Sequence, residues 1–386
     1  MSKQTIRQYQ IVTALYAATW AISNPILVLF LLSRGLSLGE TGLYFAFSRL
    51  VMLAMEVPTG AFADAYERKK SVMAAFLTAI IGFGLFLSAH EIWILVLAAF
   101  FTGSADAFYS GAMESWAVDR LKEKGVEKTH TQALLADGVS ALYGVLLVGS
   151  IIGGYVGAWS YEAAIALGFP AMFAGLWYVS RLAEKKEEKT IGMSIKPILR
   201  KMGQTLRQCA QDSRLLSLLI ISFLFGAGCF RLYVAWQPAF AQLFGWGASE
   251  SGWLFAAMSI AVIIGAKAVG TSRPFKFTLW QSLGGMGVSA ILSAVWWNPI
   301  PTLLAYLVFE LMNGAEKPLM NNILHLRTPS KIRATIISFS SGAFAAGFGL
   351  MGVGLALMGE LSIAASWLWS GLIFILAAGL AYKENF

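Results

Sequence analysis

The chain has 386 residues, of which 57% are hydrophobic and 13% charged, with a mean hydropathy of +0.66. A soluble domain is about 45–50% apolar and about 25% charged, so these values exclude a soluble fold and a disordered chain, and the two cysteines, Cys209 and Cys229, are too few for a disulfide scaffold. The net charge of +8 would suit nucleic-acid binding in a soluble protein, but here its distribution between apolar spans decides its meaning.

A bilayer-spanning helix needs about 20 mostly apolar residues. Twelve such runs follow in chain order, near 9–32, 40–62, 70–89, 91–116, 133–155, 161–180, 214–240, 251–270, 276–297, 301–324, 334–358 and 362–381. The runs are continuous rather than alternating, and too long for barrel strands. They predict an all-α integral membrane protein of two six-helix bundles. Residues 1–183 form the first bundle, 184–213 a polar linker and 214–386 the second. With a cytoplasmic N-terminus, 24 of the 29 basic residues fall on inner segments and Arg34 alone falls on an outer loop. The positive-inside rule then places both termini in the cytoplasm and the protein in the cytoplasmic membrane. The basic surplus is a topology signal, so no nucleic-acid partner is expected. The polar start, Met1 to Tyr9, does not read as a cleavable signal peptide.

In the first run, Tyr9, Tyr16, Trp20 and Asn24 recur on one helical face, with Pro25 beyond them. The second run carries Arg49 and Glu56 and ends at Gly60. The loop after it reads Gly60-Ala-Phe-Ala-Asp64-Ala-Tyr-Glu67-Arg68-Lys69-Lys70. A glycine, an acid four residues on and then a basic cluster, between the second and third helices on the cytoplasmic side, resembles the loop signature of the major facilitator superfamily. The preceding Glu56-Val-Pro58-Thr-Gly60 resembles its drug-exporter-like bacterial members. The resemblance extends to the whole chain through the twelve helices and the central basic loop. It implies two pseudo-symmetric bundles rocking about a central site lined by helices one, four, seven and ten. It also implies a cytoplasmic latch involving Gly60, Asp64, Arg68 and Lys69. The family's second glycine is missing, because Tyr66 and Glu67 stand where it would fall. A shift of 205 residues places Gly265 on Gly60, Arg273 on Arg68 and Val269 on Asp64, so the loop after run eight reads as a decayed copy without its acid.

The fourth run buries Asp106 deep in the lipid layer, where a charge is costly and marks a cavity or a partner. Three readings stand: an Asp106–Arg49 ion pair, proton exchange at Asp106 tuned by Arg49, or electrostatic recognition of a cationic substrate by Asp106. Tyr109 follows, and Glu114 lies eight residues from Asp106, about 12 Å along a continuous helix. Glu114, Asp119 and Glu56 are assigned to the cytoplasmic charge network. The glycines of runs five and eleven predict close helix contacts.

The seventh run brings Arg231, Trp236, Gln237 and Pro238, and the tenth brings Glu310, Asn313, Lys317 and Pro318. Glu310 lies one position from the shifted Asp106. Arg231 and Glu310 read equally as a structural pair or as part of proton coupling. Tyr16, Trp20, Asn24, Tyr109, Trp236, Gln237 and Asn313 are the candidates for binding an apolar or cationic solute.

No GxxxxGK[ST] loop, HExxH or GxSxG occurs, and His90, His130 and His325 make no metal pattern, so no nucleotide drive, cofactor or metal is expected. The reading is a monomeric secondary transporter, with a small amphipathic solute, protons and the lipid bilayer as partners. By the resemblance it exports by proton antiport. Proton-coupled uptake and facilitated diffusion are the alternatives, and a membrane enzyme or sensor the remote ones.

Overall fold

The structure, a computed structural model, describes residues 2–123, 128–183, 211–270, 278–328, 333–358 and 362–386, with isolated positions 200, 203 and 207. Most of the linker 184–213, the loop holding Arg273, and Cys209 lie outside the described residues, as does the side chain of Asp64. Among the described residues the secondary structure is helical, with no strand. The first run is α1 (Ser2–Ala21), a turn at Asn24–Ile26 and α2 (Leu27–Ser33). Proline at position 25 removes a backbone donor, and the helix breaks there. Then come α3 (Leu38–Ala65), α4 (Arg68–Leu87), α5 (Ile92–Tyr109), α6 (Ala112–Glu123) and α7 (Lys128–Trp159). After these run α8 (Tyr161–Ala166), α9 (Gly168–Ser180), α10 (Ser213–Phe244), α11 (Ala248–Gly270), α12 (Leu279–Val295), α13 (Pro299–Arg327), α14 (Arg333–Met358) and α15 (Ile363–Lys383).

Among the described residues, ten stretches are long and apolar enough to cross a membrane. The shorter α12 and the charge-bearing α13 complete the twelve segments of an all-α membrane protein. Pro58, Pro238 and Pro318 are accommodated inside continuous helices.

The fourth run differs from expectation. It is not one helix but two, broken at Ser110-Gly111, where Gly111 takes φ +71°. An L-residue with a side chain is strained in that region, and glycine is not. Glu114 and Asp119 therefore sit on α6, not on an extension of the helix that carries Asp106.

The contacts divide the chain into two units: 1–36, 51–195 and 247–256 in the first, and 37–50, 196–246 and 257–386 in the second. The helices α3 and α11 thus each contribute to both. In unit 1, α1 packs on α7 and α9, and α4 packs on α5 and α9. Unit 2 repeats this pattern: α10 packs on α14 and α15, and α12 packs on α13 and α15. The repetition is the pseudo-symmetry expected of duplicated bundles.

Glycine seams bring these helices together. A Cβ at Gly153 of α7 would overlap the carbonyl oxygen of Ile22, and one at Gly347 of α14 would overlap that of Phe223 on α10. The glycine-rich runs therefore do make close helix contacts, although Gly144 and Gly354 have nothing within 4 Å of a built Cβ.

Candidate functional site

In unit 1, Asp106 lies three residues before the end of α5. The Tyr16 hydroxyl of α1 donates to Asp106 Oδ1 at 2.8 Å. Tyr109, one turn beyond Asp106, sends its hydroxyl the other way, to Thr13 of α1 at 3.3 Å. The two tyrosine rings stack between the helices, with centroids 3.8 Å apart and planes within 2°. Each helix thus holds the other through one tyrosine. The ring of Tyr16 is nearly buried and also meets the edge of Phe76 on α4. The α5 break leaves carbonyls near its end without intrahelical partners. Thr59 of α3 donates to Ala107 O at 3.1 Å and Ser71 of α4 to Phe108 O at 2.8 Å, which satisfies two of them.

The other unit 1 candidates spread away from this pair. Trp20 packs edge-on against Phe83, with ring centroids 4.8 Å apart. Asn24 lies in the turn between α1 and α2, so the regular four-residue stripe ends at Trp20. Gly60 is exposed, and a Cβ there would meet nothing within 4 Å.

The start of α4 carries the basic cluster. Arg68 Nε pairs with Asp119 Oδ2 at 2.9 Å, Lys69 Nζ donates to Leu182 O at 2.9 Å, and Arg120 donates to Ala183 O. Of the two acids assigned with it on α6, Asp119 pairs with Arg68, and no bond to Glu114 is made among the described residues. Glu114 is exposed, and its charge is felt by Tyr9 and Tyr109 instead. Glu56 is half-buried on α3.

At the opposite end, Arg34 pairs with Glu162 at 2.9 Å, contacts His90 and lies over the Phe30 ring at 5.0 Å, tying the end of α2 to the α4–α5 loop and to the first turn of α8. A cavity of about 500 Å³ lined by 157–162 and 247–249 opens near Glu162 and includes none of the predicted binding residues.

In unit 2, Arg49 is half-buried on α3, and Arg231, Trp236 and Gln237 are buried on α10. Glu310 is 2% exposed on α13. Its Oε2 accepts from Asn313 Nδ2 at 3.0 Å, and the same amide donates to the Tyr233 hydroxyl of α10 at 2.7 Å. The Tyr306 hydroxyl donates to Leu232 O at 3.0 Å. Among the described residues no ion pair joins Glu310 to Arg231. The reason is helical phase: Cys229 and Tyr233 face α13, and Arg231, two residues from each, points about 160–200° away. Lys317, placed on one polar face with Glu310 and Asn313, is exposed, while Glu316 is buried.

Sequence reasoning missed Thr13 and Tyr233. Thr13 was legible as the i−3 neighbour of Tyr16, on the same helical face. Tyr233 carries no local signal, because its role depends on which helix faces it.

Residues 11–352 match the Major Facilitator Superfamily. The chain is 23% identical over 364 residues to the uncharacterized MFS-type transporter YxaM of Bacillus subtilis (strain 168), covering 88% of this chain and 86% of that one. Among solved structures it resembles a mutant form of the nucleoside transporter NupG, with TM-score 0.78 and 14% identity over 99% of both chains. It also resembles a D-xylose-proton symporter, with TM-score 0.76 and 13% identity over 98% of this chain and 96% of that one.

Proposed function

Because the chain belongs to the major facilitator superfamily it is a membrane transporter and not an enzyme, and we propose that it moves a small amphipathic solute by proton-coupled alternating access. The observation that carries this reading is the Tyr16–Asp106 bond inside a pair of membrane helices. A carboxylate kept at that depth is expensive, and function is the usual reason for keeping it. A second acid, Glu310, occupies the corresponding helix of unit 2.

In this reading Asp106 and Glu310 carry the coupling protons, with the bases Arg49 and Arg231 as membrane counter-charges. Tyr16, Trp20, Asn24, Tyr109, Trp236, Gln237 and Asn313 bind the solute. Gly60, Asp64, Glu56, Arg68, Lys69, Glu114 and Asp119 form the cytoplasmic gate, in which the Arg68–Asp119 pair is the described ion pair. The moving halves are 1–183 and 214–386, joined by 184–213. The protein acts as a monomer in the cytoplasmic membrane with both termini inside. Export by antiport is the direction favoured by the likeness of the Glu56-to-Gly60 segment to drug exporters. Uptake by symport is the alternative, supported by the likeness to a D-xylose-proton symporter.

Proteoliposomes with an imposed pH gradient test the reading, with ethidium, uridine and xylose as probe solutes. Accumulation of one probe should follow the gradient, and its sign separates antiport from symport. Replacing both acids (Asp106→Asn with Glu310→Gln) should abolish the response to the gradient. Wild-type flux indifferent to the gradient for every probe would reduce the protein to a facilitator.

A further inference from the structure

The two membrane acids are held differently, and this difference assigns them different work. We propose that Glu310 is the exchange carboxylate: its Oε1 alternately holds a proton and an N–H group of a monovalent organic cation, while Asn313 and Tyr233 act as positioning residues. This rests on the transporter reading above and names its substrate class and coupling atom.

The geometry of Glu310 is one-sided. Oε2 is held by Asn313, which is itself held by Tyr233 across the gap to α10. Oε1 is buried and has no hydrogen-bond partner among the described residues. An orphaned buried acceptor is costly, and an orphaned buried charge more so. Only a proton on Oε1, or a donor brought by a ligand, satisfies that atom.

The surroundings offer no substitute. From α10 the titratable groups near Glu310 are Cys229 and Tyr233, and from its own helix they are Tyr306, Glu316 and Lys317. Lys317 acts on Glu316, its sequence neighbour, and does not pair with Glu310. Against α13, α12 presents no titratable residue, α14 carries Arg333 only at its first position, and Lys267 of α11 is exposed.

The aromatic rings of Tyr233 and Tyr306 near the acid favour a cation over a neutral solute. Asp106, by contrast, already accepts a tyrosine hydroxyl and is only half-buried. Charge balances in each turnover. The incoming cation displaces one proton from Oε1 to bulk water, and the returning proton displaces the cation. The exchange is electroneutral.

Calorimetric titration of the purified protein with ethidium, in buffers of differing ionisation enthalpy, counts the protons released per cation bound. One proton is expected for the wild type. None is expected for Glu310→Gln, whose affinity should fall by about tenfold or more. Tetraphenylphosphonium, a cation without N–H, should bind the wild type about tenfold more weakly than ethidium. Tyr233→Phe should keep the one-proton release but shift its pH midpoint. Where Glu310→Gln fails to fold, Glu310→Asp keeps the acid and withdraws it by one methylene, so release should persist with weaker binding. Unchanged binding by that variant would overturn the proposal. Release that survives Glu310→Gln and vanishes in Asp106→Asn moves the coupling to Asp106 and leaves proton-coupled transport standing. Absence of ethidium binding by the folded wild type overturns the substrate class. Failure of the broader reading shows separately, as gradient-indifferent flux of ethidium, uridine and xylose alike.

Discussion

A single hydroxyl ties Asp106 to α1. Tyr16→Phe keeps the ring and its stack on Tyr109 and removes only the 2.8 Å bond to the carboxyl. The expected loss is about 1 kcal/mol of stability, read as a lower melting temperature in detergent. An unchanged melt with altered transport would make the bond functional without being structural. Sequence could single out Asp106 and Tyr16, because a carboxylate among apolar residues and a four-residue aromatic spacing are both local signals, while the expectation that their helices line one cavity comes from the resemblance to the family. It could not assign Tyr16 to the acid rather than to solute, since that depends on how far apart α1 and α5 stand. Glu114 and Asp119 show the same limit. Both are assigned by sequence to the cytoplasmic charge network, and the sequence does not show that a break at Gly111 puts them on a separate helix or that Asp119 is the one that pairs with Arg68.

That glycine decides the course of an element. Continuous apolar composition marks a membrane run because lipid tolerates no unpaired backbone, and it locates all twelve segments. It says nothing of a break whose carbonyls are satisfied by Thr59 and Ser71 from neighbouring helices. Gly111→Ala would force a side chain into the left-handed region, at a cost of about 1–2 kcal/mol. The expected outcome is a lower melting temperature, larger than that of Gly144→Ala, where the added Cβ meets open space on an ordinary helix. Equal shifts for the two variants would mean that the chain tolerates a straight helix at this point. Prolines mislead in the opposite sense. Pro25 breaks its helix, whereas Pro238 and Pro318 lie inside continuous helices.

At the scale of the molecule, the packing order of unit 1 recurs in unit 2 although the chemistry has drifted. The tyrosine–acid bond of Tyr16 and Asp106 becomes a tyrosine–amide–acid relay through Tyr233, Asn313 and Glu310. A fixed shift along the sequence detects the acids, separated by nearly the repeat length, but not the tyrosines, whose offset differs. The charge asymmetry makes a further prediction. With Cys209 and Cys229 replaced, a cysteine at His90 should react with an impermeant thiol reagent from outside intact cells. One at Lys70 should react only in inverted vesicles. Labelling of both from the same side would overturn the assigned orientation.

The stacked tyrosines have one more consequence. The hydroxyl of Tyr16 ends on α5 and that of Tyr109 ends on α1, so the hydrogen-bonded chain reaching Asp106 stops at one ring and the chain through Thr13 begins at the other. Two parallel carbon faces lie between. Such a stack is an insulator: no proton passes through the two ring faces from one hydrogen-bonded pair to the other.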